Sequence, residues 1–134
     1  GVVSLAISDT SSLLLSMAKT AVNDYVDFKN TLEKIDLTTK LNIIENFLAI
    51  IPKKFENIKC VSISLNSLHE IVIKIHDELA KINGIIEEHE LKYFSYWRTP
   101  AYQIELDNVI KYKEILDDRF ETLLKIINKI NFIK

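Results

Sequence analysis

The sequence predicts an all-α protein folded as an antiparallel, up-down-up-down four-helix bundle. Three observations carry that expectation. Apolar or aromatic residues recur at alternating steps of three and four from Leu65 to Tyr96, the seam of a long packed helix. The same spacing returns in three other stretches of the chain. Only two Gly and two Pro occur, too little turn chemistry to serve many strands.

A chain of 134 residues is long enough for one domain with a buried core, so residues 1–134 read as a single helical-bundle domain. It opens on Gly1 rather than Met, which suggests excision from a larger protein or processing. Hydrophobic residues make up 48% and charged residues 27%, the balance of a folded globular protein. The net charge of −2 argues against a nucleic-acid partner held by a dominant basic surface. The single Cys60 leaves no internal disulfide framework. No stretch reaches the length of apolar residues that a membrane span needs. A cytoplasmic location, membrane-associated or not, fits these features, and secretion of a disulfide-free bundle fits them too.

The third helix is the longest. Leu65, Leu68, Val72, Ile75, Leu79, Ile82, Ile86, His89, Tyr93 and Tyr96 form its seam, and 32 residues make a rod of about 48 Å. Ser64, Ser67 and Glu70 offer N-caps, with Ser67-Leu68-His69-Glu70 matching a capping box, although Ile63 already fits the apolar pattern. Gly84 interrupts the helix, either on an exposed face or where a neighbour comes close.

Ahead of it, Leu14, Ala18, Ala21, Tyr25, Phe28, Leu32 and Ile35 define a first helix over about residues 10–35, capped from Asp9, Thr10 or Ser11. Asp36-Leu37-Thr38-Thr39 breaks its phase and suits a short connection. Leu41, Ile44, Leu48, Ile51, Phe55 and Ile58 then form a second helix, which Pro52 should kink or end near Ile51. After the third helix, Thr99-Pro100 is a restart signal, with Thr as N-cap and Pro at the first helical position. Tyr102, Leu106, Val109, Lys113, Leu116, Phe120, Leu123, Ile127 and Ile130 form the fourth seam. Lys113 is its one misfit, with a stem long enough to snorkel; Lys113 with Asp117 reads as an exposed i,i+4 pair.

No recognisable catalytic chemistry emerges. A di-iron bundle needs Glu three residues before His, and here those positions hold Asn66, Ile73 and Ile86. No HExxH occurs, and with Gly only at 1 and 84 there is no phosphate loop or nucleophile elbow. The sequence therefore predicts no enzyme, no cofactor and no metal. His89 on the seam reads as a hydrogen-bonded histidine near the bundle end, with a pH-sensitive switch as the sharper alternative.

Aromatic weight gathers where the third helix gives way to the fourth. Phe94, Trp97 and Arg98 lie off the seam there, and Trp and Arg are enriched at binding hot spots. They are the expected contacts for a protein partner in a non-catalytic interaction or scaffolding module. The apolar arm residues Val2, Val3 and Leu5, with Lys125 and Lys129 in the acid-free C-terminal stretch, would suit lipid instead. A third class, a secreted binder of a small apolar ligand inside the bundle, is compatible with the composition. Self-association through an incompletely covered coiled-coil seam is open as well.

The stretch Ile82-Asn83-Gly84-Ile85-Ile86-Glu87-Glu88 looks a little like the corresponding stretch of the four-helix executioner domains of the HeLo and mixed-lineage-kinase-like type. Architecture and length are also similar, while no diagnostic motif is shared. What that resemblance implies is a cell-death bundle that binds or permeabilises lipid bilayers, the alternative to the scaffold reading.

Overall fold

The computed structural model describes residues 26–91 and 100–133, all of whose regular elements are helical. In chain order these are α1 (Val26–Lys34), α2 (Leu37–Ile50), a 3-10 turn (Lys53–Asn57), α3 (Lys59–Glu90) and α4 (Gln103–Ile133). The part of the expected first helix before Val26, and the residues 92–99 between α3 and α4, lie outside the described residues.

α1 and α2 are separated by two residues, not by the four-residue break expected over Asp36–Thr39. Asp36 takes the left-handed conformation (φ 57°, ψ 39°), which Asp tolerates better than most side chains. Its backbone N–H donates to the Glu33 carbonyl at 3.1 Å, tightening the last turn of α1. Its side chain caps nothing. The helix resumes at once because Leu37 is buried in the core at 1% exposure. α2 then stops at Ile50; Ile51 (ψ 126°) and Pro52 (ψ 133°) are extended, as a residue before proline prefers. Phe55, in the 3-10 turn, is buried in the core.

α3 starts at Lys59, several residues ahead of the Ser64 and Ser67 caps the sequence offered. Both serines sit inside the helix, where Ser67 Oγ donates to the Ser64 carbonyl at 2.9 Å. α4 starts at Gln103, three residues after Pro100. The Leu106 N–H donates to the Tyr102 carbonyl at 2.9 Å, so Tyr102 holds the capping position. Tyr102 is buried and its ring packs 5.7 Å from that of Phe28, which fixes where the helix can begin.

One core runs through all these elements. Leu68, Val72, Ile75, Leu79 and Ile82 of α3 meet Val109, Leu116 and Leu123 of α4, with Phe28, Leu32, Leu41, Ile44 and Leu48 packed from α1 and α2. Among the described helices, the α3–α4 interface is the most extensive. Gly84 lies on an exposed stretch where an added Cβ would meet nothing within 4 Å, which selects the exposed-face reading over close approach.

Candidate functional site

Two open surfaces lie at different levels of the α3–α4 pair. The first flanks the connection between the helices. Leu91, after the last residue of α3, is 88% exposed, and Ile104, in the first turn of α4, is 75% exposed. Nearby, a cavity of about 480 Å³ is lined by Asn30, Thr31 and Lys34 of α1 with Pro100, Tyr102 and Gln103.

The second surface is a groove of about 300 Å³ between the first half of α3 and the last half of α4. Ile63, 58% exposed, and the half-buried Ile126 form apolar parts of its walls. Arg119 also lines the groove and donates from Nη1 to the Ser67 carbonyl at 2.6 Å. No carboxylate pairs with Arg119 among the described residues. Ser64, 6% exposed, also lines the groove, and its hydroxyl has no hydrogen-bond partner there. Buried hydroxyls normally find one. Cys60 is exposed at the groove's end.

Buried charged groups lie among the packed helices. Lys113 is 8% exposed and its Nζ is 2.7 Å from Asp117 Oδ2. Asp117 Oδ1 also lies 3.5 Å from Lys40 Nζ of α2. The pair expected on an exposed face is therefore part of the packed interior on its lysine side, because the seam itself carries Lys113 inward. Glu78 is buried as well, at 6%, with Lys81 Nζ 3.3 Å from its Oε1.

No group of three His, Cys, Asp or Glu side chains able to hold a metal occurs among the described residues. His76 Nδ1 lies 3.3 Å from its neighbour Asp77.

Of the residues the sequence singled out, Lys125 and Lys129 are exposed on α4, and Lys125 pairs with Glu121 at 3.3 Å. Phe94, Trp97, Arg98, Val2, Val3 and Leu5 lie outside the described residues. Sequence reasoning missed Arg119, Ser64, Glu78 and the exposure of Leu91 and Ile104. One signal for Arg119 was available. It is one of two arginines among 17 basic residues, and Arg is favoured where several hydrogen bonds must be made at once.

Fold and surfaces together define an all-α arrangement, with two open faces among the described residues. Among known proteins, it is similar to an uncharacterized protein of Acanthamoeba polyphaga mimivirus, 32% identical over 116 residues, which are 86% of this chain and 54% of that protein. The chain thus spans about half the length of the curated relative it matches. No protein-family model and no solved structure matches it.

Proposed function

We propose that the chain is a non-catalytic helical interaction module that binds a protein partner at the bundle end around the α3–α4 connection. The observation that carries this reading is the exposure of Leu91 and Ile104 on either side of that connection. Large apolar side chains left in water favour association, and the connection between them holds Phe94, Trp97 and Arg98 in sequence.

The helices are read as an antiparallel bundle. Lys74 lies over the Tyr112 ring at 5.9 Å and Ser67 meets Arg119, so a step of seven up α3 matches a step of seven back along α4. That order supports an antiparallel α3–α4 pair. Phe28, Lys40 and Phe47 meet Tyr102, Asp117 and Phe120 in ascending order, which supports α1 and α2 as one rod, broken at Asp36, running with α4. In this reading α1 and α2 together, α3, and α4 alternate in direction, and the chain reverses after Pro52.

The membrane reading draws on Lys125 and Lys129, both exposed and four residues apart on one face of α4. No described helix is long and apolar enough to cross a bilayer, so contact would be in the plane of the interface.

Trp97 is the only tryptophan, so its fluorescence separates the two. The scaffold reading expects a quenchable Trp97 in the free chain that vesicles of anionic phospholipid leave quenchable. It also expects Leu91→Glu with Ile104→Glu to abolish partner binding without lowering the unfolding midpoint. A blue-shifted, quencher-resistant Trp97 in the free monomer would overturn it, and protection by vesicles would favour the lipid reading.

A further inference from the structure

We propose that the groove between α3 and α4 binds a monocarboxylate with a medium-length apolar chain, of the fatty-acid kind, its carboxylate on Arg119 and its chain along Ile63 and Ile126. This surface is separate from the α3–α4 connection that carries the interaction reading. Only the order of groups along the groove rests on the antiparallel arrangement proposed above.

The open polar capacity of the groove comes down to two groups. Ser67 and Thr122 line it, but the Ser67 hydroxyl donates to the Ser64 carbonyl and the Thr122 hydroxyl to the Asp118 carbonyl, each at 2.9 Å. What is left is the Arg119 guanidinium and the Ser64 hydroxyl, which belongs to a residue 6% exposed and has no hydrogen-bond partner. Arg119 spends Nη1 on the Ser67 carbonyl, a neutral acceptor, so its charge meets no carboxylate among the described residues. A guanidinium takes a carboxylate through two parallel N–H bonds, and donors for that remain on the fork beside Nη1. Among the described lining residues Arg119 alone is charged, so a single negative charge balances the groove.

The other lining groups suit the rest of the ligand. Ile63 is 58% exposed and Ile126 half-buried, and covering them removes apolar surface from water. Small-molecule sites are mostly apolar with a few placed polar groups, and about 300 Å³ lies at the small end of their range. The groups are also in the right order. Arg119 is level with Ser67, and the register that sets Lys74 over Tyr112 brings Cys60 level with Ile126, seven residues away on each helix. That is roughly 10 Å at the helical rise. Ser64 lies one turn of α3 from Ser67 in the same direction, so it supplies its hydroxyl near the charged end. A ligand anionic at one end and apolar for roughly 10 Å beyond matches this sequence of groups.

Cys60, the only cysteine, is exposed at the far end of the groove and reports its occupancy in the whole chain. The rate of its alkylation by N-ethylmaleimide is followed with increasing decanoate, kept below the micelle concentration, and with 1-decanol as the uncharged counterpart. Expected is a saturable slowing by decanoate, with 1-decanol about tenfold weaker, the scale of one charged hydrogen-bonded contact. Arg119→Met should weaken decanoate about tenfold and leave 1-decanol unchanged. Ile63→Glu, at an exposed position that the fold does not depend on, should abolish the protection. A Cys60 that resists alkylation in the free chain would show the groove already covered and overturn the site. So would equal protection by 1-decanol and decanoate, an unchanged decanoate affinity in Arg119→Met, or protection by anionic vesicles alone. Linkage of Cys60 to Ile126→Cys by a short bis-maleimide tests the register separately. Linkage without decanoate binding overturns the site alone, whereas failure of the linkage overturns the antiparallel arrangement beneath it.

Discussion

Arg119 reaches across from α4 to α3 and donates to the main-chain carbonyl of Ser67 at 2.6 Å. The two residues are 52 apart in sequence, so the bond ties together elements that only the tertiary fold brings near. A charged donor to a part-buried carbonyl contributes on the order of 1.5–3 kcal/mol. Arg119→Met keeps much of the apolar stem but loses the donor. Its urea midpoint should fall by an amount equivalent to about 1–2 kcal/mol. An unchanged midpoint would mean that the bond adds nothing to stability.

The α3 seam is the largest single contributor to the core. Leu79 is 2% exposed, and truncating a buried leucine removes both its transfer energy and the packing around it. Leu79→Ala is expected to cost about 2–5 kcal/mol in reversible denaturation. A loss under half a kcal/mol would place Leu79 outside the core.

The seams were legible because periodicity needs only the sequence. Leu65, Leu68, Val72, Ile75, Leu79, Ile82 and Ile86 recur at helical steps, and every one is buried. Helix ends were less legible because tertiary packing outweighed local capping preference. α3 begins after Ile58, an extended residue with no capping side chain, while the attractive Ser67 spends its hydroxyl on the Ser64 carbonyl within the helix. α4 waits for Tyr102, whose burial against Phe28 outweighs the Thr99-Pro100 signal. The groove was illegible for a different reason. Arg119, Ser64 and Ile63 converge only once α3 and α4 have packed.

Two backbone positions should respond to glycine chemistry in opposite directions. Gly84 lies within α3 with open space around its missing Cβ, so Gly84→Ala should stabilise by about 0.5–1 kcal/mol. Asp36 carries φ 57° between α1 and α2, where a side chain is disfavoured. Asp36→Gly should relieve that conformation and stabilise slightly, offset in part by the extra freedom of the unfolded chain. Asp36→Val should destabilise by about 1 kcal/mol or more, since β-branched residues resist the left-handed region. Thermal midpoints of the three variants test both sites at once. A stabilising Asp36→Val would contradict the left-handed junction.

The interior charges allow a prediction in which one partner matters more than the other. Lys113 Nζ is buried beside Asp117 Oδ2 at 2.7 Å, and Lys40 Nζ approaches Oδ1 of the same carboxylate at 3.5 Å. The Lys113 side chain is 10% exposed, whereas that of Asp117 is 38% exposed. Removing the carboxylate leaves a buried ammonium with its anion gone and a second ammonium nearby. Removing Lys113 leaves a carboxylate that still has Lys40 and water. Replacing a buried charge with an apolar side chain of similar shape is often close to neutral, whereas stranding one is costly. Lys113→Met should therefore change stability by less than about 1 kcal/mol, and Asp117→Ala should lower it by about 1–3 kcal/mol after allowing for solvent at the carboxylate. The double variant Lys113→Met with Asp117→Ala should recover most of that loss, because no stranded charge remains in the core. Urea unfolding of the parent, the two single variants and the double variant closes the cycle. Equal losses from the two single variants, or no recovery in the double, would show that the Lys113 ammonium reaches water and that its contact with Asp117 contributes only as a surface pair.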